Sequence, residues 1–155
     1  MKLLRYGMSA TGASGGNEKP GMLDDTGVLR DLSGMVDDIA GETLLPENIE
    51  RLRKIDPASL PEVAGNPRLG PCVGQVGKFI CIGLNYADHA KEAGLNVPPE
   101  PIIFAKANSA ICGANDDVVI PRNSVKTDWE VELGVVIGKP AKYVDEKSAL
   151  DHVAG

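Results

Sequence analysis

The 155 residues carry a formal net charge of −6 and a pI near 4.9, which argues against nucleic acid or an anionic membrane as partner. No apolar run approaches membrane-spanning length, and the opening MKLLRYG lacks a signal-peptide core. Cys72, Cys81 and Cys112 form no C-x-x-C pair, and with only two histidines a zinc cluster is not expected, so a reducing cytoplasm fits best. Together, 18 Gly, 11 Pro and 4% aromatic residues point to many turns and short strands rather than a helical bundle.

In chain order, Lys2 to Tyr6 reads as a first strand. Met8 to Pro20 reads as a polar Gly/Ser-rich loop; it lacks the G-K-[ST] of a phosphate-binding loop and has no apolar helix after it. Asp25-Thr26-Gly27 between Gly21–Asp24 and Val28–Leu32 signals a hairpin. Pro46 to Lys54 has a proline early, acids in its first turn and bases in its last, which predicts a short helix. Prolines 57, 61 and 67 then interrupt the chain, and Asn66 to Pro71 reads as a linker. The expected division is a small β-rich N-terminal module, residues 1–70, followed by a second unit, residues 71–155.

Lys78 to Ile82 is an apolar run of buried-strand type. Gly83-Leu84 turns it towards a helix expected over Tyr86 to Ala93, with Asn85 as N-cap and Gly94 as its end. His89 and Glu92, three residues apart, then share one helix face. A solvated surface pair would have the same spacing, but a strand leading through a loop into a helix start is a common place for a site. After the stiff return Asn96 to Pro101, Ile102 to Lys106 reads as another strand. Its terminal Lys106 suits either a carboxylate anchor or an edge gatekeeper. Asn115-Asp116-Asp117 reads as a turn into a strand at Val118–Ile120. Lys139 to Asp145 reads as loop, and Glu146 to His152 as a helix opening, with His152 structural.

The stretch Asp128-Trp-Glu-Val-Glu-Leu-Gly-Val-Val-Ile-Gly138 begins with strict alternation, which predicts a strand carrying Glu130 and Glu132 on one face. Val135-Val136-Ile137 is apolar on both sides, as in a buried strand. Two carboxylates about 7 Å apart on such a strand repel each other and resist desolvation. A divalent cation with oxygen ligands would relieve both costs, which makes Glu130 and Glu132 candidates for half of a metal site. The alternative is a plain structural strand with solvated glutamates, and burial of that face separates the two.

Three ordered segments resemble the fumarylacetoacetate hydrolase superfamily: Gly77 to His89, Pro101 to Lys106, and Asp128 to Gly138. The likeness is greatest to bacterial members of the ureidoglycolate lyase-like or 2-hydroxyhepta-2,4-diene-1,7-dioate isomerase-like kind, and it extends over the N-terminal module. It implies an α+β, mostly β fold: an FAH-type mixed β-sandwich roll, incomplete here, after a small β-rich module. By the same resemblance, Glu130 and Glu132 ligate magnesium, manganese or calcium, and His89 with Glu92 forms a catalytic dyad on a segment that closes over substrate. Lys106 would meet the substrate.

The implied activity is metal-dependent hydrolysis, decarboxylation or isomerisation of an oxo- or enol-acid through a metal-held enolate, by a protein that is a homodimer when full length. Ureidoglycolate cleavage is the lower-ranked variant. The family's third ligand, an aspartate, and a catalytic lysine are expected beyond Gly155, so the chain reads as the N-terminal half of an enzyme. The competing class is a non-catalytic fragment with an incomplete metal site.

Overall fold

The computed structural model describes residues 1–8 and 18–155; most of the Met8–Pro20 loop expectation lies outside the described residues. The architecture is mixed α+β, with short strands the commonest regular element among the described residues. The first sheet is antiparallel, in the order β1 (Lys2–Tyr6), β2 (Lys19–Leu23), β3 (Leu29–Asp31). Lys2 pairs with Leu23 and Tyr6 with Lys19, while Leu23 pairs with Leu29 across the hairpin.

The hairpin turn is built around one carboxylate. Asp24 accepts from Thr26 Oγ1 at 2.7 Å and from the Thr26 and Val28 amides at 2.9 Å, and Arg30 closes on its other oxygen. The Thr26 hydroxyl, with the Arg30 and backbone donors, holds the Asp24 carboxyl far below the usual range.

α1 (Pro46–Arg53) follows the expected pattern, with Glu47 in its first turn and Arg51 and Arg53 in its last. It buries Ile49 and Leu52. Leu52 joins Met22, Leu32 and Ile39 in a core that Leu3, Val36, Leu44, Ile55, Leu60 and Val73 surround. Every member of that cluster thus falls between residues 3 and 73.

A chain of charges runs out from the first sheet. Arg5, only 3% exposed, binds Glu18 at 2.9 Å and Asp38 at 2.7 Å. Arg68 binds the other oxygen of Glu18 at 2.7 Å and grips Asp116 through two nitrogens, at 2.6 and 2.5 Å. The alternation Asp38–Arg5–Glu18–Arg68–Asp116 gives each cation two acidic partners. Gly70 makes room for it: a Cβ there would stand 2.6 Å from Glu18 Oε1. The segment expected to be a linker therefore carries a structural ion pair. Asp116 also accepts from the Gly113 amide at 2.7 Å, so the Asn115–Asp117 turn is tied to an arginine.

Tyr6 is buried in the same region, and burial, the charge of Asp31 and a hydrogen bond to it push its phenol up to about 12. A group raised in the folded state contributes fully below its unfolded value near 10 and loses that contribution as pH climbs to about 12. Tyr6→Phe should therefore flatten the fall in urea midpoint between those two pH values. An unchanged slope would show that Tyr6 ionises as freely as in the unfolded chain.

The second half forms less regular structure. β4 (Ile80–Gly83) and β5 (Ile102–Ala105) pair antiparallel, with Ile80 opposite Ala105 and Gly83 opposite Ile102. Between them lies α2 (Ala87–Glu92). β4 is not the buried strand its composition suggested, with Ile80 52% exposed, and on β5 Ile103 is 69% exposed.

Three further expectations are corrected. Val118–Ile120 is not a strand, and of Asp128 to Gly138 only Ile137 pairs, in an isolated antiparallel bridge to Val153. Backbone bonds flank that bridge: Val136 and Gly155 at 2.8 Å, and Gly138 and His152 at 2.8 Å. The alternating residues before it meet no ladder, because β4 and β5 use each other as partners, and without a partner strand the period-two pattern has nothing to pair with. The expected helix at Glu146–His152 shrinks to a 3₁₀ turn over Ala149–His152.

Candidate active site

Leu84 adopts φ +50°, a left-handed conformation at the end of β4 that redirects the chain into α2. The shift places Tyr86, in extended conformation, at the N-cap, and no side chain caps the helix. Asn85 thus does not fill the capping role its residue type suggested. The other end follows the expectation: Gly94, at φ +67°, donates to the Lys91 carbonyl, and Leu95 donates to the Ala90 carbonyl. This pair of bonds is the usual glycine-terminated helix end.

On α2, His89 and Glu92 lie one turn apart and both are exposed, while Ala90 faces inward at 1% exposure. The helix is tied to the glutamate segment at one point. The Leu133 amide donates to the Tyr86 phenolic oxygen at 2.8 Å, which fixes the backbone next to Glu132 beside the start of α2. At the end of β5, Lys106 Nζ lies 3.9 Å from Glu130 Oε2, with both side chains about half exposed. A pair this open to solvent contributes little stability and serves chiefly to orient the two groups.

The structure thus brings the start of α2, the end of β5 and residues 130–133 to one side of the molecule. Lys106 stands against Glu130 itself, and Tyr86, which the sequence pattern left without a role, supplies the other link. A tyrosine directly before a helix carries no signal of a contact to a residue so distant in sequence.

Glu130 and Glu132 do not lie on a buried face. Glu130 is 60% exposed at its side chain, and Trp129, Val131 and Leu133 around it are exposed at 80% or more. No group of three or more His, Cys, Asp or Glu side chains is placed to hold a metal among the described residues. The carboxylate oxygens are the right kind of donor for magnesium, manganese or calcium, but two residues supply fewer ligands than such ions take. The donor set fits the ion in kind and falls short in number.

Of the described residues, no helix is long and apolar enough to cross a membrane. The cysteines at 72, 81 and 112 are all free.

A relative in Burkholderia orbicola, named "Putative hydrolase", is 63% identical over all 155 residues, which cover 53% of its length. A relative of the same name in Burkholderia multivorans gives the same figures. The chain therefore spans about half the length of the curated relatives it matches. Among solved structures, a fumarylacetoacetate hydrolase from Exiguobacterium antarcticum superposes with TM-score 0.68 at 28% identity, over 99% of this chain and 52% of that one. A protein from Mycobacterium smegmatis, described as "a putative HpcE protein", gives 0.71 at 27% identity, over 97% of this chain and 51% of that one. The pattern described as fumarylacetoacetate (FAA) hydrolase C-terminal matches residues 78–155, the half that holds α2, β5 and both glutamates, and so the chain belongs to the fumarylacetoacetate hydrolase family.

Proposed function

We propose that this chain supplies part of the active site of a metal-dependent enzyme acting on small oxo- or enol-acids. Its outcome would be C–C bond hydrolysis, decarboxylation or double-bond isomerisation. The observation that carries the reading is the convergence on one side of Tyr86 with Leu133 and Lys106 with Glu130, in a chain of this family.

Glu130 and Glu132 would hold magnesium, manganese or calcium, and the ion, when bound, would polarise the oxygens of an oxo acid. Lys106 would give the substrate carboxylate a cationic contact on the same side. His89, with Glu92 one turn away, would take up and return a proton at the substrate carbon or at a water. Both groups are exposed, and among the described residues neither is committed to an ion pair, so both stay accessible to a small acid. The whole protein is proposed to be a cytoplasmic homodimer. Among the finer assignments, isomerase-type chemistry on a dienoate ranks above ureidoglycolate cleavage.

The exposure of Glu130 favours a second statement about the 155 residues by themselves: alone they hold an incomplete metal site and do not turn substrate over. Both statements are tested by a chimera in which this chain replaces the matched half of the Burkholderia orbicola relative. The chimera should consume acylpyruvates or oxaloacetate with added magnesium and stop on chelation, while the 155-residue chain should do neither. Turnover indifferent to chelator, or a fully active short chain, would refute the corresponding statement.

A further inference from the structure

The segment that leaves the first sheet, residues 68–76, runs against the segment that follows β5, residues 108–116. At one end of this seam Gly113 lies so close to the Leu69 carbonyl oxygen that a Cβ there would overlap it, and Arg68 grips Asp116. At the other end Asn108 Nδ2 donates to the Val76 carbonyl at 2.8 Å. Between the two ends, Pro71 and Val73 from one segment and Ile111 from the other line a small cavity beside Arg5. The segments therefore run in opposite directions, with residue 69 beside 113 and residue 76 beside 108.

Each segment carries one cysteine, Cys72 and Cys112, and both are exposed. The two ends of the seam set Cys72 level with Ile111, the immediate chain neighbour of Cys112. Neighbouring segments lie about 5 Å apart and one residue adds about 3.4 Å along the chain. A one-residue offset then leaves the two Cα atoms about 6 Å apart, within the range of about 4.4–6.8 Å that disulfides occupy. Pro71, Val73 and Ile111 take the cavity side, which leaves both exposed thiols on the outer side of the seam. Cys81, half-buried on β4 opposite Phe104, lies beyond the Val76 end.

We infer that Cys72 and Cys112 form a redox-responsive pair, closed to a disulfide by a low-molecular-weight disulfide such as oxidised glutathione and reopened by thiols. One thiolate attacks a sulfur of the glutathione disulfide and forms a mixed disulfide, releasing the first glutathione. The other thiolate attacks the protein sulfur of that bond and releases the second. Two protein thiols are oxidised, one glutathione disulfide is reduced to two thiols, and the two thiol protons pass to the leaving glutathiones. In a reducing compartment the pair rests open and closes when the thiol–disulfide balance shifts. The bond clasps the base of the excursion that carries β4, α2 and β5, and with it the helix bearing His89 and Glu92. The inference does not depend on the proposed chemistry.

The test incubates the folded 155-residue chain with oxidised glutathione and counts free thiols. The three cysteines should fall to one free thiol, and a non-reducing peptide map should show Cys72 joined to Cys112 with Cys81 alkylated. The oxidised chain should unfold at a higher urea concentration than the reduced one, because the bond closes a long loop, and dithiothreitol should reverse the shift. Cys72→Ser and Cys112→Ser should each form no cross-link and show no shift. Stable glutathione adducts on both cysteines of the parent chain would overturn the inference, as would a disulfide between two copies or one that includes Cys81. Pairing that forms as readily in concentrated urea as in buffer would also overturn it, since the folded seam would then not be what brings the sulfurs together.

Discussion

Replacing Arg5 by alanine should cost the fold about 3–5 kcal/mol, the loss expected when one partner of a buried ion pair is removed and the other charge stays. Arg5 is 3% exposed, and the Glu18 side chain it holds is 2% exposed. Without the guanidinium, Glu18 keeps Arg68 as its one cationic partner among the described residues, and Asp38 loses the two bonds that come from Arg5 at 2.7 and 3.1 Å. Domains have only about 5–15 kcal/mol of stability in total, so the variant should unfold at a much lower urea concentration. Arg5→Lys should recover part of the loss, because a single ammonium cannot reproduce the forked contact to Asp38. A urea midpoint for Arg5→Ala within experimental scatter of the parent would show that the charge chain is not a stabilising element.

The consequences would not stop at the first sheet. Arg68 links the same chain of charges to Asp116, and Asp116 holds the Gly113 amide, in the loop that follows β5. Loss of Arg5 should therefore loosen residues 113–116 as well as β1, and amide exchange at Gly113 reads this directly.

These contacts mark the boundary of what the sequence discloses. Lys2–Tyr6, the Asp25–Gly27 hairpin, the proline-started helix and the Gly94 stop were legible because each depends on residues within a turn or two of one another. Arg5 and Asp38 are 33 positions apart, and Arg68 and Glu18 are 50 apart. Neither periodicity nor capping chemistry carries information about pairs at such separations, and the arginine of an apparent linker gives no sign of its partners. The alternation around Trp129 shows the opposite failure. Its pattern correctly reports residues suited to a pleated surface, but a strand exists only when another strand accepts its hydrogen bonds. The described residues offer none before Ile137. The candidate residues stood out as residue types and as family motifs, and the contact of Tyr86 with Leu133 did not.

On the proposed chemistry, His89→Ala in the chimera should lower kcat by about 10²–10⁴-fold, the range a positioned general acid or base supplies. His89 is exposed on α2 while its neighbour Ala90 is buried, so its loss removes little packing and should leave the melting temperature in place. It also lies outside the acidic segment, so magnesium affinity, read by titration of the ion in the absence of substrate, should barely change. Glu130→Gln should behave in the reverse way. Metal affinity should fall first, and turnover should return in part at high magnesium, because one ligand oxygen pair is weakened while the proton carrier remains. Glu92→Gln separates positioning from catalysis. If Glu92 acts through His89, the pH profile of kcat should shift while the mutant keeps more activity than His89→Ala. Unchanged turnover of an acylpyruvate by His89→Ala would remove the imidazole from the mechanism. Equal loss of metal binding in the His89 and Glu130 variants would mean that the histidine belongs to the ligand set instead.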